Sequence, residues 1–501
     1  MNPSVPLVSR RGLLVASGLG LAFSPLLSGC GGGSGQRLIS PRTFHTPLPI
    51  PPLADSMTEE GSRRFALTAA PGRSELRPGI ETETWGYNGP YLGPTLRARV
   101  GEHVHVTVTN KLTETTTVHW HGMHLPAEYD GGPHQPVDPG EQWQAEWVIN
   151  QPPATLWYHP HPHGETEEHV TRGLAGMFWL DPADGPDERL PHRYGIDDIP
   201  LVVQDKKVAD DGGLVFDDGG NEIGLLGDLV LTNGVTGAHL TVDAELTRLR
   251  ILNGSTARSY LLGFDDDRAF HQIGTDGGLM AGPVECRRVP LSPGERAEIV
   301  VRLSPGERVR LRTFGAALGD VVSNAAFGGE DTADLLELRA RKTLSPSPAL
   351  PAELAAIAWL DASRAVQERR FTLEDRAING REMDMERIDA TVEVDTIEVW
   401  EVYNRNLFPH NFHVHDVQFQ VLSVDGGEPA PHLRGWKDTV YLEPRRTYRL
   451  AMEFADYADP TAPYMFHCHL LLHEDEGMMG QFVVVNPGET AVLPQSDHQH
   501  G

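Results

Sequence analysis

Three stretches of the chain alternate apolar residues with others and stop on an asparagine: VGEHVHVTVTN (100–110), VDAELTRLRILN (242–253) and VDTIEVWEVYN (394–404). The asparagines stand 143 and then 151 positions apart, a domain-sized period, so whole folding units are repeated rather than short motifs. Alternation with period two puts successive side chains on opposite faces of a strand, one of them in a core. The chain therefore reads as three related β-domains. Its 52 glycines and 39 prolines supply the turns such domains need, and no helical heptad or long amphipathic stripe competes.

In the first copy Val104, Val106 and Val108 form the core face. His103 and His105 then lie on the other, solvated face, and that His-x-His reads as surface. Nine and eleven positions past Asn110 stand His119 and His121, in TVHWHG; nine and eleven past Asn404 stand His413 and His415, in NFHVHD. The middle copy has Leu262 and Phe264 at those offsets. A second correspondence joins WYHPHPHGETEEHVTRGLAGMF (157–178) to YMFHCHLLLHEDEGMMGQF (464–482). Both hold a His-x-His and close on Gly-x-x-Gly-x-Phe, but Pro160 and Leu174 of the first are Cys468 and Met478 in the second.

In a strand the two histidines of a His-x-His share a face, about 7 Å apart. Four such pairs, two in each of two related domains, supply eight imidazoles for two or three metal ions. Parity adds a second site. If residues 467–469 are extended, His467 and His469 face one way and Cys468 the other, and His410 differs in parity from His413 and His415. Cys468 can then gather with His410, His473 and Met478. Two histidines, a thiolate and a weak thioether suit an electron-transfer copper. Zinc competes for Cys and His, but structural zinc usually takes two or more cysteines, and no Cys-x-x-Cys occurs.

HWHG (119–122), HPHPHG (159–164), HNFHVH (410–415) and HCHLLLHEDEGM (467–478) resemble the four copper motifs of the multicopper oxidases, over roughly residues 60–487. The pattern is most similar to three-domain bacterial laccases, bilirubin oxidases and copper-efflux oxidases. The resemblance implies an all-β fold of three cupredoxin-like Greek-key β-barrels and four copper ions. It assigns His410, Cys468, His473 and Met478 to a type 1 copper and His119 and His413 to a type 2 copper. His121, His159 and His469 would hold one type 3 copper, and His161, His415 and His467 the other. It further implies four one-electron oxidations of a small reductant at the type 1 site and reduction of dioxygen to water at the trinuclear cluster. Because that reduction consumes protons, Glu474 and Asp130 match positions that assist proton delivery; a turn role before Gly131-Gly132 is the alternative for Asp130.

The reductant class divides the candidate functions. A laccase-like oxidase of phenols or aromatic amines leads. The alternative is a cuprous oxidase in copper tolerance; copper-efflux members carry a Met-rich insert in domain three, whereas this chain has only Met383 and Met385 between residues 320 and 451. A scaffold without copper and a nitrite reductase fit the complete ligand set poorly.

The N-terminus reads as an address. Arg10-Arg11 precedes an apolar run and then Leu27-Ser28-Gly29-Cys30, resembling a twin-arginine signal and a lipoprotein box with Cys30 as the lipidated residue. The expectation is an exported, periplasmic or cell-surface monomer, touching the membrane only through Cys30. A net charge of −28 argues against nucleic acid as a partner. The expected divisions are a signal (1–29), a Gly- and Pro-rich tether (30–60), domains at 61–185, 192–342 and 361–487, a linker (343–360) and a tail (488–501). His124, His134, His163, His169, His432, His498 and His500 have no matched ligand position and read as surface or supporting residues. Cys286 reads as a small buried residue.

Overall fold

The computed structural model describes residues 37–492, Glu60 excepted. The Arg10-Arg11 stretch, Cys30, His498 and His500 lie outside the described residues. Among the described residues, no helix is long and apolar enough to cross a membrane.

Each repeated stretch becomes a strand in the same setting. His103–Asn110, Leu246–Asn253 and Thr396–Asn404 each pair in parallel with an earlier strand (Ser62–Arg77, Asp198–Lys206 and Gln367–Glu374) and antiparallel with a later one (Gln142–Val148, Arg296–Arg302 and Thr447–Phe454). Among the described residues the strands collect into six sheets, two for each region of the chain: five and three strands, six and six, five and five. Three apolar cores follow the same division. Val104, Val106 and Val108 are buried in the first, Ile251 and Leu262 in the second, Val402 and Phe412 in the third.

The asparagine that ends each strand is a buried hydrogen-bond hub. Asn110 accepts the N–H of Leu112 and donates to the carbonyls of Glu114 and Val137. Asn253 accepts from Ser255 and donates to Arg258 and Leu291; Asn404 accepts from Asn406 and donates to Phe408 and Leu442. A buried amide left without these partners would cost about 1–3 kcal/mol, which is why one residue type recurs at this corner.

The hub also fixes the register of the segment after it. Leu442, bonded by Asn404, pairs with His410, and Leu291, bonded by Asn253, pairs with Tyr260. Val137, bonded by Asn110, bridges Thr116. Thr116 and His410 lie six residues past their asparagines, whereas Tyr260 lies seven past its own. The middle copy is one residue longer, so its equivalents of His413 and His415 are Gly263 and Asp265 rather than Leu262 and Phe264.

Two stretches depart from the sequence reading. Leu246–Asn253 is buried on both faces, because Arg248 and Arg250 are enclosed with Asp198 and Glu298. The stretch expected as a tether is packed from residue 38 onward. Leu38, Phe44 and Leu48 are buried, and Thr46–Pro47 pairs in parallel with Ala238–His239. Its Gly and Pro content resembles that of a linker, but its spaced apolar residues bury against the middle region.

Candidate metal centre

Two short backbone connections bring the four His-x-His pairs together. In the first region His119 and His159 form an isolated antiparallel bridge (N–H to O distances 2.8 and 3.2 Å). In the third, the strands His410–Val414 and Tyr464–His467 pair His413 with His467. All eight imidazoles are buried.

The opposed directions expected for residues 467–469 are present. His467 Nε2 lies 3.2 Å from His161 Nε2 and 3.1 Å from His415 Nε2. His469 packs its ring 4.9 Å from that of His121 and 5.2 Å from that of His159. Cys468 turns away from both: its Sγ lies 3.5 Å from His410 Nδ1 and 3.4 Å from His473 Nδ1, which are 3.0 Å apart. His473 is carried by the short helix Leu471–Asp475, which begins four residues after the strand ends at His467. Met478 is buried in the same core as Cys468; its N–H donates to the carbonyl of His473 (2.8 Å) and its carbonyl accepts from Cys468 N–H (3.1 Å).

One ring nitrogen of most of these histidines is tied to the protein. Nδ1 of His119, His159, His413 and His467 donates to the carbonyls of Asp130 (3.0 Å), Pro160 (2.8 Å), Asp438 (2.8 Å) and Cys468 (3.1 Å). His415 Nδ1 donates to the Asp130 carboxylate (2.7 Å), and His121 Nε2 to that of Asp438 (3.0 Å). Asp130 thus orients two imidazoles, one through its backbone and one through its side chain. Glu474 places one oxygen 3.4 Å from His161 Nδ1 and the other 3.2 Å from His467 Nδ1.

The inward nitrogens then lack partners. His119 Nε2, His121 Nδ1, His159 Nε2, His413 Nε2 and both nitrogens of His469 are buried without a hydrogen bond. So many buried lone pairs aimed at a common space are costly unless a cation takes them. Burial drives the basicity of His121, His159, His410, His413 and His415 well below the ordinary imidazole range, and that of His161, His469 and His473 down to about 3. Neutral imidazole is the form that binds a metal. Burial pushes the Cys468 thiol up to about 12, so a soft cation is needed to draw out its proton. Burial opposes ionisation of Glu474, but the facing His161 and His467 outweigh it and hold its carboxyl well below the ordinary range. The donor set fits copper in both places: sulfur with imidazole in one, imidazole alone in the other.

Residues 69–185 and 356–488 match sequence families described as multicopper oxidase. The multicopper oxidase mco of Staphylococcus haemolyticus is 36% identical over 444 residues, 87% of this chain and 92% of that protein. This chain belongs to the multicopper oxidase family. The cell division protein FtsP of Escherichia coli is 34% identical over 488 residues, covering 96% of this chain and 99% of that one. A bacterial laccase-like multicopper oxidase, CueO from Ochrobactrum, superimposes with a TM-score of 0.80 at 34% identity over 88% of this chain and all of the other. The fold is that of three cupredoxin-like barrels, and the family is one of oxidoreductases.

Sequence reading missed Asp438, Thr439 and Asn411. Asn411 Oδ1 receives the N–H of His469 (2.6 Å) and lies 3.6 Å from Cys468 Sγ, between the two sites. Its position between His410 and His413 was the available signal. Among the remaining histidines, His169 is buried beside Trp85 rather than at the surface, and His124 Nδ1 pairs with Asp416 Oδ1 at 2.7 Å. Cys286 is only half-buried, and both it and Cys468 are free thiols.

Proposed function

We propose that the chain holds four copper ions and is a laccase-like oxidase of phenols or similar small aromatic reductants. His410, Cys468, His473 and Met478 would hold one copper; His119 and His413 a second; His121, His159 and His469 a third; His161, His415 and His467 the fourth. Bound there, copper would supply one-electron chemistry, drawing electrons from the reductant at the cysteine site and delivering four to dioxygen at the histidine site, where two waters form. The observation that carries this reading is the run 467–469, whose consecutive side chains serve two clusters on opposite sides of one backbone. The family includes relatives named for cell division, so the reading rests on this chain's own ligand set rather than on identity.

The protein's own groups do the positioning and hold the protons. Asp130 and Asp438 fix the rings, Glu474 keeps a carboxylate against His161 and His467, and burial excludes bulk water from both clusters. Toward solvent, His473 Nε2 donates to the carbonyl of Glu222 (2.6 Å), and the Phe408 ring lies 5.1 Å from that of His410. Exposed Leu407 is hydrogen-bonded through its carbonyl to Val322 N–H (2.8 Å), itself exposed. An apolar approach beside the cysteine site favours an aromatic reductant. The similar Ochrobactrum protein is described as acting on lignin model compounds.

One observation favours the cuprous alternative. Met383 N–H donates to Gly477 O (2.8 Å), placing its backbone beside the residue preceding Met478. Oxygen uptake by copper-loaded protein with a phenol and with Cu(I) separates the two. Faster phenol turnover is expected; far faster Cu(I) oxidation, lost in Met383→Leu, would replace the leading reading. His119→Ala should retain the blue colour yet stop oxygen consumption. Glu474→Gln should retain both colour and copper while slowing oxygen reduction. We also propose export through the Arg10-Arg11 signal and anchoring at Cys30, which the mass of the mature N-terminal peptide tests.

A further inference from the structure

We propose that Arg296, in the middle region that supplies none of the proposed ligands, is a positioning residue for the histidine cluster. It fixes the Asp438 carboxylate, which decides the ring nitrogen that His121 turns to the metal. The inference rests on the copper reading above.

The Arg296 guanidinium is fully buried, and each of its five N–H groups has an acceptor. Nε donates to Thr155 O (2.9 Å); Nη1 to Gly294 O (3.0 Å) and Asp438 Oδ1 (2.7 Å); Nη2 to Asp276 O (3.1 Å) and Asp438 Oδ2 (2.5 Å). Those acceptors come from the first, middle and third regions. A planar fork bound at every donor cannot rotate, so the carboxylate it grips in bidentate fashion is held in one orientation.

Asp438 transmits that orientation to two histidines. Its Oδ1 receives His121 Nε2 (3.0 Å), with Thr439 Oγ1 also 3.0 Å from the same nitrogen, while its backbone carbonyl receives His413 Nδ1 (2.8 Å). The Asp438 Oδ1 that faces His121 already accepts from Arg296 Nη1, so His121 Nε2 is the donor and the lone pair sits on Nδ1. His413, stacked on His121 at 3.7 Å and 7°, has the opposite arrangement and leaves Nε2 free. One residue therefore sets two adjacent rings in opposite senses.

Gly122 reflects the same demand. With φ at +83°, a Cβ there would stand 2.5 Å from Asp438 Oδ2 and 2.7 Å from Arg296 Nη2. The glycine that follows His121 in HWHG makes room for the ion pair.

The test compares copper-loaded wild type with Arg296→Lys, which keeps charge without the fork, and with Asp438→Asn, which is isosteric and neutral. Three readouts are taken: blue absorption, copper retained against a chelator, and the EPR signature of the type 2 copper. In both variants the blue absorption should stay at the wild-type level. Copper of the histidine cluster should leave at least about tenfold faster, with an altered type 2 spectrum. Wild-type retention and an unchanged spectrum in both variants would overturn the proposal. Should Arg296→Lys fail to fold, Asp438→Asn decides on the same criteria. Wild-type protein that takes up no copper at the histidines would instead sink the underlying reading, before any variant is compared.

Discussion

The middle and third regions carry the same corner on the same backbone, with opposite uses. Asn253 and Asn404 make equivalent hydrogen bonds, and Tyr260 and His410 hold the same place in register, opposite Leu291 and Leu442. In the third region that strand presents the proposed metal ligands His410 and His413. In the middle region it presents Tyr260, whose hydroxyl lies 2.8 Å from Ser255 Oγ, and its neighbours Leu262 and Phe264 complete an apolar core. The corner is therefore a scaffold requirement and the ligands are an addition to it. What the middle region contributes is charge: Arg296 on Asp438, and Asp276 with Glu295 on Lys437 (2.8 and 3.0 Å).

Cysteine substitutions should break the comparison most sharply. Cys468→Ser should abolish the blue absorption and reduce turnover to background, whereas Cys286→Ser in the middle region should alter neither. Persistent colour in Cys468→Ser would remove that residue from the site.

Next in size are the hubs. Asn253→Ala and Asn404→Ala each strip several buried bonds and should cost about 1–3 kcal/mol in denaturant unfolding. Only Asn404→Ala should also weaken copper retention, since its loop leads into His410. Equal copper loss in both would mean that the scaffold and the ligands are not separable.

The seams around the third region should respond differently to pH. Toward the middle region they are held by Arg296 and Lys437, which stay charged. Toward the first region, His124 pairs with Asp416; burial lowers the basicity of His124, but Asp416 outweighs it and raises the imidazole to about 9. Folded above its unfolded value near 6.5, His124 adds stability that is complete below pH 6.5 and lost as pH rises through 9. One pKa unit is about 1.4 kcal/mol, so up to about 3 kcal/mol is at stake. Unfolding of wild type and His124→Gln between pH 6 and 10 measures it: the wild-type slope should flatten in the variant.

The smallest effect is expected from Tyr260→His. A histidine at the position of His410 should bind no additional copper, because among the described residues neither strand paired with Tyr260–Phe264 brings a cysteine opposite it.

Much of this arrangement was legible in the chain. Alternation gave the strands because Val104, Val106 and Val108 have one core to fill, and the His-x-His pairs announced themselves by recurring in two regions. The one-residue excess in the middle copy was not legible, since it shows only in which carbonyls Asn253 reaches. Arg296 and Asp438 were hidden for a related reason: a lone arginine and a lone aspartate, 142 positions apart, acquire meaning only where three regions meet. The packing of residues 38–48 was missed because composition describes a flexible linker and a pinned strap equally well.

The two clusters differ in ownership. Every side chain proposed for the cysteine site comes from the third region, whereas the histidine cluster takes four residues from the first and four from the third. The third region by itself thus carries the whole set proposed for a one-electron carrier: His410, Cys468, His473 and Met478. On the proposed assignment, holding several electrons at once needs the first region's four histidines beside the third's, so separating the two regions should keep the carrier site and lose the catalyst.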